Sequence, residues 1–338
     1  MTKSFQCEKK EGKKERKKVT AKTMMIAISR ASMRSLGQQL TRRVRIPSAS
    51  ATSRCYHDDR DTSGDKKTAL VIGSSGTLGS TVSQYLSRGI NMNVIGADVL
   101  ELPNESDWDL DAFIALPHHS ERPSLGELTQ RLSLALRSVL EGAKIDVIVV
   151  ASGGYEGDPA LGNDVADQGA LDYGDSIDRM IQMNLYPAAA AGYIAQQFMT
   201  SHKGLMVVMG ATVALNPTPG MMGYGLSKAA AHHFVQTFGV GTGTSLATTS
   251  QRSSSQEMRL NYECMEELSV IGILPTMLDT PSNRKDNPRA NVASWVKPID
   301  IAKEIGTWVK QPYLRPHSGS LVIPKNDIKL GANFILAR

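Results

Sequence analysis

The chain has 338 residues, which is enough for one large α/β domain or two small ones. A hydrophobic fraction of 41% and a charged fraction of 21% exclude a wholly disordered protein. No apolar run reaches the roughly 18 residues of a membrane-spanning helix, so the sequence predicts no membrane span. The cysteines Cys7, Cys55 and Cys264 include no C-x-x-C pair, which argues against a disulfide framework and a cysteine-bound zinc.

The net charge of +5 is unevenly distributed along the chain. Residues 1–57 carry 15 Lys and Arg against 3 Glu, whereas the rest of the chain carries 23 against 30 Asp and Glu. The positive charge therefore belongs to a tail, residues 1–66, which we predict to be a disordered extension. The acidic remainder argues against a nucleic-acid-binding surface on the folded part.

The tail contains two different compositions. Its lysine run, residues 3–22, indicates a solvated segment or, as the alternative, a nuclear-localisation or RNA-binding arm. Residues 24–57 hold arginines among serines and small apolar residues and contain no acidic residue. That composition is typical of a mitochondrial or plastid transit peptide.

From Lys67 onward, short apolar segments alternate with helical patterns. Strands are predicted at 68–72, 93–97, 111–116, 145–151, 204–209, 269–274 and 320–323. Helices are predicted at 78–88, 124–140, 177–198, 224–238 and 298–309. Continuous apolar strands separated by helices indicate a parallel sheet covered on both faces. We therefore predict one Rossmann-like, doubly wound α/β domain of about seven strands over residues 67–330, with a surface insertion at 240–262.

A glycine-rich turn, Gly73-Ser-Ser-Gly76-Thr-Leu-Gly79, follows the first predicted strand. Glycines at this point permit a tight turn and let the backbone approach a pyrophosphate at the N-terminus of the next helix. The same spacing also occurs in ordinary strand–helix turns, and the position in the first strand–helix unit is what favours a dinucleotide site. The candidate cofactor-binding residues here are Gly73, Ser75, Gly76, Thr77, Leu78 and Gly79.

Asp98 ends the second predicted strand, 19 residues after Gly79. A carboxylate there accepts hydrogen bonds from the ribose hydroxyls of the adenosine and repels a 2′-phosphate. No Arg or Lys occurs at positions 99–102. The sequence therefore predicts NADH as the cofactor, with NADPH less favoured; the alternative is that Asp98 only begins a turn.

Tyr224 and Lys228 form a Y-x-x-x-K pair in a predicted helix, and this spacing places both side chains on one face. An ammonium close to a phenol stabilises the phenolate, so we expect the pKa of Tyr224 to be lowered from about 10. The tyrosine could then transfer a proton as a hydride arrives. The alternative is a surface pair without function.

Several longer segments carry a resemblance to a known family. They are VIGSSGTLGS at 71–80, DVIVVASGGY at 146–155, GATVALNPTPGMMGYGLSKAAAH at 210–232, ILPTMLDTPSNRK at 273–285 and SGSL at 318–321. Residues 67 to about 324 resemble the short-chain dehydrogenase/reductase superfamily and, within it, the dihydropteridine reductases. The resemblance implies NADH-dependent reduction of quinonoid 6,7-dihydropteridine to tetrahydropteridine, which regenerates tetrahydrobiopterin, with a hydride from the nicotinamide and a proton from Tyr224.

The resemblance also implies roles for residues outside the two motifs. Ala151, Gly153, Lys228, Pro275 and Thr276 would bind the cofactor, while Gly154, Tyr155 and Tyr224 would bind the substrate. Tyr155 could stack on a flat pterin, or it could be a lid or core aromatic.

Two positions differ from the residues expected of either the superfamily or the dihydropteridine reductases. The superfamily's catalytic serine is replaced by Ala211, as in the dihydropteridine reductases, and the neighbouring Thr212 could supply a substitute hydroxyl. Asn184 matches the superfamily's proton-relay asparagine and is the third catalytic candidate, the alternative being a helix residue bonded to backbone.

The resemblance further implies a homodimer packed through helices 177–198 and 224–238, and a cytoplasmic location unless segment 24–57 directs import. No metal site is predicted, because adjacent histidines such as His118 and His119 point apart. Two other functions stay open: another superfamily enzyme acting on a carbonyl or alcohol, and a non-catalytic NADH-binding scaffold.

Overall fold

The computed structural model describes residues 66–100, 109–159, 166–200, 203–242, 267–327 and 331–337. Every described residue lies in one compact unit, Asp59–Arg338. All of the predicted tail except Lys66, and all but the first three residues of the predicted insertion, lie outside the described residues. The transit-peptide and insertion hypotheses therefore stay predictions.

Eight described strands form one sheet, and all of them are parallel except the last. They are β1 (Thr68–Ile72), β2 (Asn93–Asp98), β3 (Ala112–Ala115), β4 (Val147–Val150), β5 (Leu205–Met209), β6 (Ser269–Ile273), β7 (Leu321–Asp327) and β8 (Gly331–Leu336). Their order in the sheet is β3-β2-β1-β4-β5-β6-β7-β8. The prediction of a doubly wound parallel α/β sheet of about seven strands is confirmed, and the antiparallel eighth strand is an addition to it.

Seven α-helices cover the two faces of this sheet in the described part of the chain. They are α1 (Thr77–Gln84), α2 (Leu125–Leu140), α3 (Ala166–Asn184), α4 (Tyr186–Phe198), α5 (Met222–Thr242), α6 (Pro281–Asp286) and α7 (Pro298–Lys310). None of the described helices has both the length and the apolar character needed to cross a membrane.

The strand β1 shows why its sequence is apolar throughout. Successive side chains of a strand point to opposite faces. Leu70 and Ile72 therefore pack into the core on one face, while Ala69 and Val71 pack into the core on the other. All four are almost completely buried, because helices cover both faces.

The strand β8 is absent from the sequence prediction. Its residues, GANFIL, include Gly331 and Asn333, which are residue types depleted in strands. Pairing with β7 over six residue pairs outweighs that preference, and the ring of Phe334 lies 6.0 Å from the ring of Trp308 on α7. The sheet therefore continues beyond residue 330, where the sequence places the end of the domain.

The prediction of one helix over 177–198 is wrong. The structure has two helices, α3 ending at Asn184 and α4 beginning at Tyr186, with Pro187 in the first turn of α4. Proline has no N–H and fits the first turn of a helix but not its interior. The break leaves Asn184 at the C-terminal end of α3, next to the loop that follows β4.

Two helical glycines provide a matched test of packing. A Cβ on Gly239 of α5 would lie 2.5 Å from the Cα of Gly319, whereas a Cβ on Gly174 of α3 would meet nothing within 4 Å. We expect Gly239→Ala to lower the free energy of unfolding by about 2 kcal/mol, and Gly174→Ala to raise it by up to about 1 kcal/mol. Urea unfolding measures both; equal effects of the two variants would contradict the close approach of α5 and the chain before β7.

Candidate active site

A cleft opens at the carboxyl ends of the strands, beside β1 and β4. The chain continues from β1 to β2 on one side and places β4 on the other, and such a reversal in strand order leaves a crevice. The cleft has a volume of about 260 Å³. Its lining includes five predicted cofactor residues: Gly73, Gly76, Asp98, Ala151 and Gly153.

The glycine turn is as tight as its sequence suggests. Gly73 has φ +86°, and a Cβ there would lie 2.6 Å from the Cα of Ser152. A Cβ on Gly79 would lie 2.7 Å from the carbonyl carbon of Gly73. These two glycines allow the backbone of β1, the loop after β4 and the start of α1 to lie against one another.

The groups around this turn suit the pyrophosphate of a dinucleotide. No side chain caps the N-terminus of α1, and its first turn contains no acidic residue. The hydroxyls of Ser74 and Ser152 are buried without a hydrogen-bond partner in the described structure. An uncapped helix N-terminus with donors nearby favours an anion, so the residues fit the cofactor predicted from the sequence.

Asp98 holds the turn at the end of β2, one of the two roles that the sequence left as alternatives, and its role towards the ribose stays a prediction. Its carboxylate accepts hydrogen bonds from the backbone N–H groups of Ser75 at 2.8 Å, Val99 at 2.7 Å and Leu100 at 3.3 Å. It therefore stabilises the turn at the end of β2 and ties that turn to the glycine loop. The carboxylate also lines the cleft, and a carboxylate can accept about four hydrogen bonds, so it retains capacity for a ligand.

The apolar wall of the cleft is a part of the site that sequence reasoning missed. It comes from the chain after β3 and from the junction of α3 and α4, through Leu116, Pro117, Met183, Tyr186 and Pro187. These residues lie in separate segments with no common spacing, so no motif could have indicated them. Such a wall would accommodate the face of a flat heterocyclic ring.

The catalytic candidates Tyr224 and Lys228 lie in the first two turns of α5. Lys228 is buried, and its Nζ donates a hydrogen bond to the carbonyl oxygen of Met209 at 2.9 Å. Burial lowers the pKa of Lys228 to about 8. Burial is the larger cause that raises the pKa of Tyr224, and the neighbouring Tyr155 raises it further. The expected lowering of that pKa is therefore wrong for this structure, because burial disfavours the phenolate and the amino group of Lys228 bonds to a backbone carbonyl.

Asn184 connects the loop after β4 to α5. Its Oδ1 accepts from the N–H of Gly154 and its Nδ2 donates to the carbonyl of Gly154, both at 3.1 Å. The same Nδ2 lies 3.2 Å from the Oγ of Ser227, which donates to the carbonyl of Tyr224 at 2.9 Å. The alternative of a helix residue bonded to backbone thus describes its contacts, and the relay role stays a prediction.

Tyr155 lies beside the catalytic candidate. Tyr155 is 65% exposed, which excludes the alternative of a core aromatic. Its ring centroid lies 5.2 Å from that of Tyr224, and the two planes meet at 84°, an edge-to-face contact. An aromatic face thus remains open to a ligand next to the phenol.

The remaining candidates lie where β5 and β6 end. The N–H of Thr212 donates to the carbonyl of Pro275 at 3.2 Å, and the hydroxyls of Thr212 and Thr276 are 3.2 Å apart. Pro275 and Thr276 are therefore held against the exit of β5, outside the lining of the cleft between β1 and β4. Thr212 is half-buried, and its hydroxyl is paired with that of the exposed Thr276.

His232 is a buried residue whose importance the sequence did not indicate, apart from its spacing of four residues after Lys228. Its Nε2 accepts a hydrogen bond from the N–H of Ala211 at 3.1 Å. Burial is the larger cause and the charge of Lys228 the smaller one, and together they lower the pKa of His232 to about 4. The imidazole is therefore neutral near pH 7. Among the described residues, no three His, Cys, Asp or Glu side chains lie close enough to hold a metal ion.

A family model described as short chain dehydrogenase matches residues 67–245. The chain belongs to the short-chain dehydrogenase family. It is therefore an NAD(P)-dependent oxidoreductase. It is also 32% identical over 256 residues to a protein named dihydropteridine reductase from Dictyostelium discoideum, covering 76% of this chain and 93% of that protein. The resemblance to dihydropteridine reductase inferred from the sequence is confirmed.

Solved structures show the same fold. A short chain dehydrogenase family protein from Francisella tularensis subsp. tularensis SCHU S4 has a TM-score of 0.53 at 15% identity, covering 77% of this chain and 97% of that one. A 4-hydroxyisoleucine dehydrogenase complexed with NADH has a TM-score of 0.50 at 17% identity, covering 76% and 96%.

The low pKa of His232 predicts a pH-dependent contribution to stability. The unfolded histidine takes up a proton near pH 6.5 and the folded one only near pH 4. The unfolded state therefore binds more protons in this window, and the contribution is complete above pH 6.5 and lost as the pH falls towards 4. We expect the wild type to lose roughly 1–2 kcal/mol more than His232→Gln between pH 7 and pH 5.

Urea unfolding at the two pH values measures this difference. The matched control is His233→Gln, because His233 is the exposed neighbour of His232. An equal loss of stability in the wild type and in His232→Gln would show that the buried imidazole does not titrate as stated.

Proposed function

We propose that this protein reduces quinonoid 6,7-dihydropteridine to tetrahydropteridine with NADH. The observation that carries the proposal is the exposed ring of Tyr155 standing edge-to-face beside Tyr224, with centroids 5.2 Å apart. A flat heterocycle stacked on Tyr155 would bring its ring nitrogens near the phenol that donates the proton. The similarity to the Dictyostelium discoideum dihydropteridine reductase supports the same substrate class.

The reaction adds one hydride and one proton to the pterin ring. The hydride would come from the nicotinamide of NADH bound in the cleft, with NAD⁺ as the other product. Tyr224 supplies the proton from its hydroxyl, which the raised pKa keeps protonated at neutral pH. Ala211 contributes no hydroxyl, so one proton donor serves a substrate that is already strongly electrophilic.

Lys228 supports this chemistry from a buried position. With a pKa of about 8, its amino group is mostly protonated at neutral pH. Nζ would lie only 2.9 Å from a Cβ at Gly153, which places the ammonium against the backbone that borders the cofactor cleft. From there it can donate a hydrogen bond to a ribose hydroxyl of a bound cofactor. Asn184 holds Gly154 and Ser227 in place around it.

A reductase acting on a carbonyl or alcohol is the second candidate. The hydroxyl of Thr212 favours it, because this group lies next to Ala211 and forms a pair with Thr276. Such a hydroxyl could polarise a carbonyl oxygen in place of the missing serine.

We also propose a homodimer formed through the helices that carry the catalytic candidates. Exposed apolar side chains lie on α3, α4 and α5, namely Leu171, Tyr193 and Leu226. Burial of such side chains against a second copy would remove apolar area from water.

The proton-donor role predicts a large loss of turnover in Tyr224→Phe. We expect kcat with quinonoid dihydropteridine to fall about 10²- to 10⁴-fold, with the NADH dissociation constant unchanged within about twofold. Tyr155→Phe is the matched control, because it keeps the stacking ring and loses only an exposed hydroxyl. Steady-state NADH oxidation is the measurement, and the wild type is also assayed with a panel of ketones. Turnover of ketones but not of the pterin would select the second candidate function.

The preference for NADH is tested at Asp98. Asp98→Asn keeps an acceptor for the backbone N–H groups but removes the charge that repels a 2′-phosphate. We expect the ratio of kcat/KM for NADH over NADPH to fall at least about tenfold, which corresponds to a loss of about 1.4 kcal/mol of discrimination between the two cofactors. Asp111→Asn is the control, since Asp111 also accepts a backbone N–H, from Val94 at 2.7 Å. An unchanged ratio in Asp98→Asn would remove Asp98 from the cofactor site.

A further inference from the structure

The residues 153–158, which we name the tyrosine loop, follow β4 and carry Tyr155. The loop has no helical or strand structure of its own, and Gly153 has φ +144°. An exposed side chain on such a loop has a fixed orientation only if the residues around it are held. The edge-to-face contact of Tyr155 with Tyr224 therefore needs contacts elsewhere in the loop.

Hydrogen bonds hold the loop on both sides of Tyr155. Before it, Gly154 is bonded through both its N–H and its carbonyl to Asn184. After it, the N–H of Asp158 donates to the carbonyl of Gly220 at 3.0 Å, and the carboxylate of Asp158 accepts from the N–H of Met222, the first residue of α5, at 2.6 Å. The loop is thus tied to the end of α3 and to the beginning of α5.

The residue directly after Tyr155 forms a third tie. Glu156 accepts two hydrogen bonds from Arg179 of α3, from Nε at 3.0 Å and from Nη2 at 2.7 Å. This paired geometry fixes the direction of the carboxylate as well as its distance. The two side chains are about 40% exposed, so the pair contributes little to the stability of the fold. A contact of this kind can be removed without unfolding the protein, and its main effect is on the loop.

We propose that Arg179 is a positioning residue, which through its paired hydrogen bonds with Glu156 holds Tyr155 against Tyr224 and so determines the affinity for the flat heterocyclic substrate. This inference rests on the proposed function, because Tyr155 is the substrate platform there. Arg179 acts through Glu156 and the loop and does not itself touch the reacting atoms.

The kinetic test compares two arginines. Arg179→Gln removes the paired hydrogen bonds with Glu156. Arg122→Gln removes a different ion pair, between Arg122 and Asp175 of α3 at 2.7 Å, which does not involve the tyrosine loop. We expect Arg179→Gln to raise KM for quinonoid dihydropteridine about fivefold, the scale that an exposed paired contact can supply. Its kcat should change less than about twofold, its KM for NADH should not change, and Arg122→Gln should behave as the wild type.

A double-mutant cycle shows whether the effect passes through Tyr155. In the Tyr155→Ala background, Arg179→Gln should produce no further change in KM. Glu156→Gln should reproduce the effect of Arg179→Gln, and the double variant should be no worse than either single one. A fivefold effect that persists in the Tyr155→Ala background would overturn the proposal.

Hydrogen exchange separates this proposal from the proposed function, because it needs no substrate. We expect the amides of Gly154 and Asp158 to exchange several-fold faster in Arg179→Gln than in the wild type or in Arg122→Gln. Unchanged exchange would show that Arg179 does not hold the loop. If exchange responds as expected but the wild type does not turn over the pterin, the proposed substrate is wrong and the positioning role of Arg179 towards the loop stands.

Discussion

The active-site geometry depends on how α5 holds the end of β5. Two residues of the helix bond to backbone on either side of Gly210: the amino group of Lys228 donates to the carbonyl of Met209, and the imidazole of His232 accepts from the N–H of Ala211. Gly210 permits this, because a Cβ there would lie 2.7 Å from Cδ2 of His232. Both partners are buried, so leaving either backbone group unpaired would be costly.

These two hydrogen bonds also place two ionisable side chains close together in a buried position. An ammonium and an imidazole one helical turn apart compete for protons, and burial disfavours the charged form of each. The imidazole of His232 is neutral at pH 7, because its pKa is about 4, and the amino group of Lys228 is mostly protonated, because its pKa is about 8. The positive charge of Lys228 thus lies next to Gly153, whose backbone borders the cleft.

The two halves of the site are built differently. The side with the glycine turn is built mainly from backbone, with glycines in close approach and a helix N-terminus that no side chain caps. The side with Tyr155 is a loop held by side chains, with Tyr155 exposed at its centre. Side-chain contacts of this kind can change by single substitutions while the fold stays the same.

The sequence alone determined the α/β class, the glycine turn and the spacing of Tyr224 and Lys228, because each depends on local periodicity and on residues close together in the chain. It could not reveal the strand β8, whose formation depends on pairing with β7, or the helix break before Pro187 within a continuous apolar pattern. The partners of Asn184 and His232, the tie between Glu156 and Arg179 and the raised pKa of Tyr224 were decided only by tertiary structure. The physical reason is that burial and hydrogen bonding join residues more than twenty positions apart in the chain. At Tyr224, the cost of burying a phenolate outweighs the stabilisation by Lys228 that the Y-x-x-x-K spacing predicts.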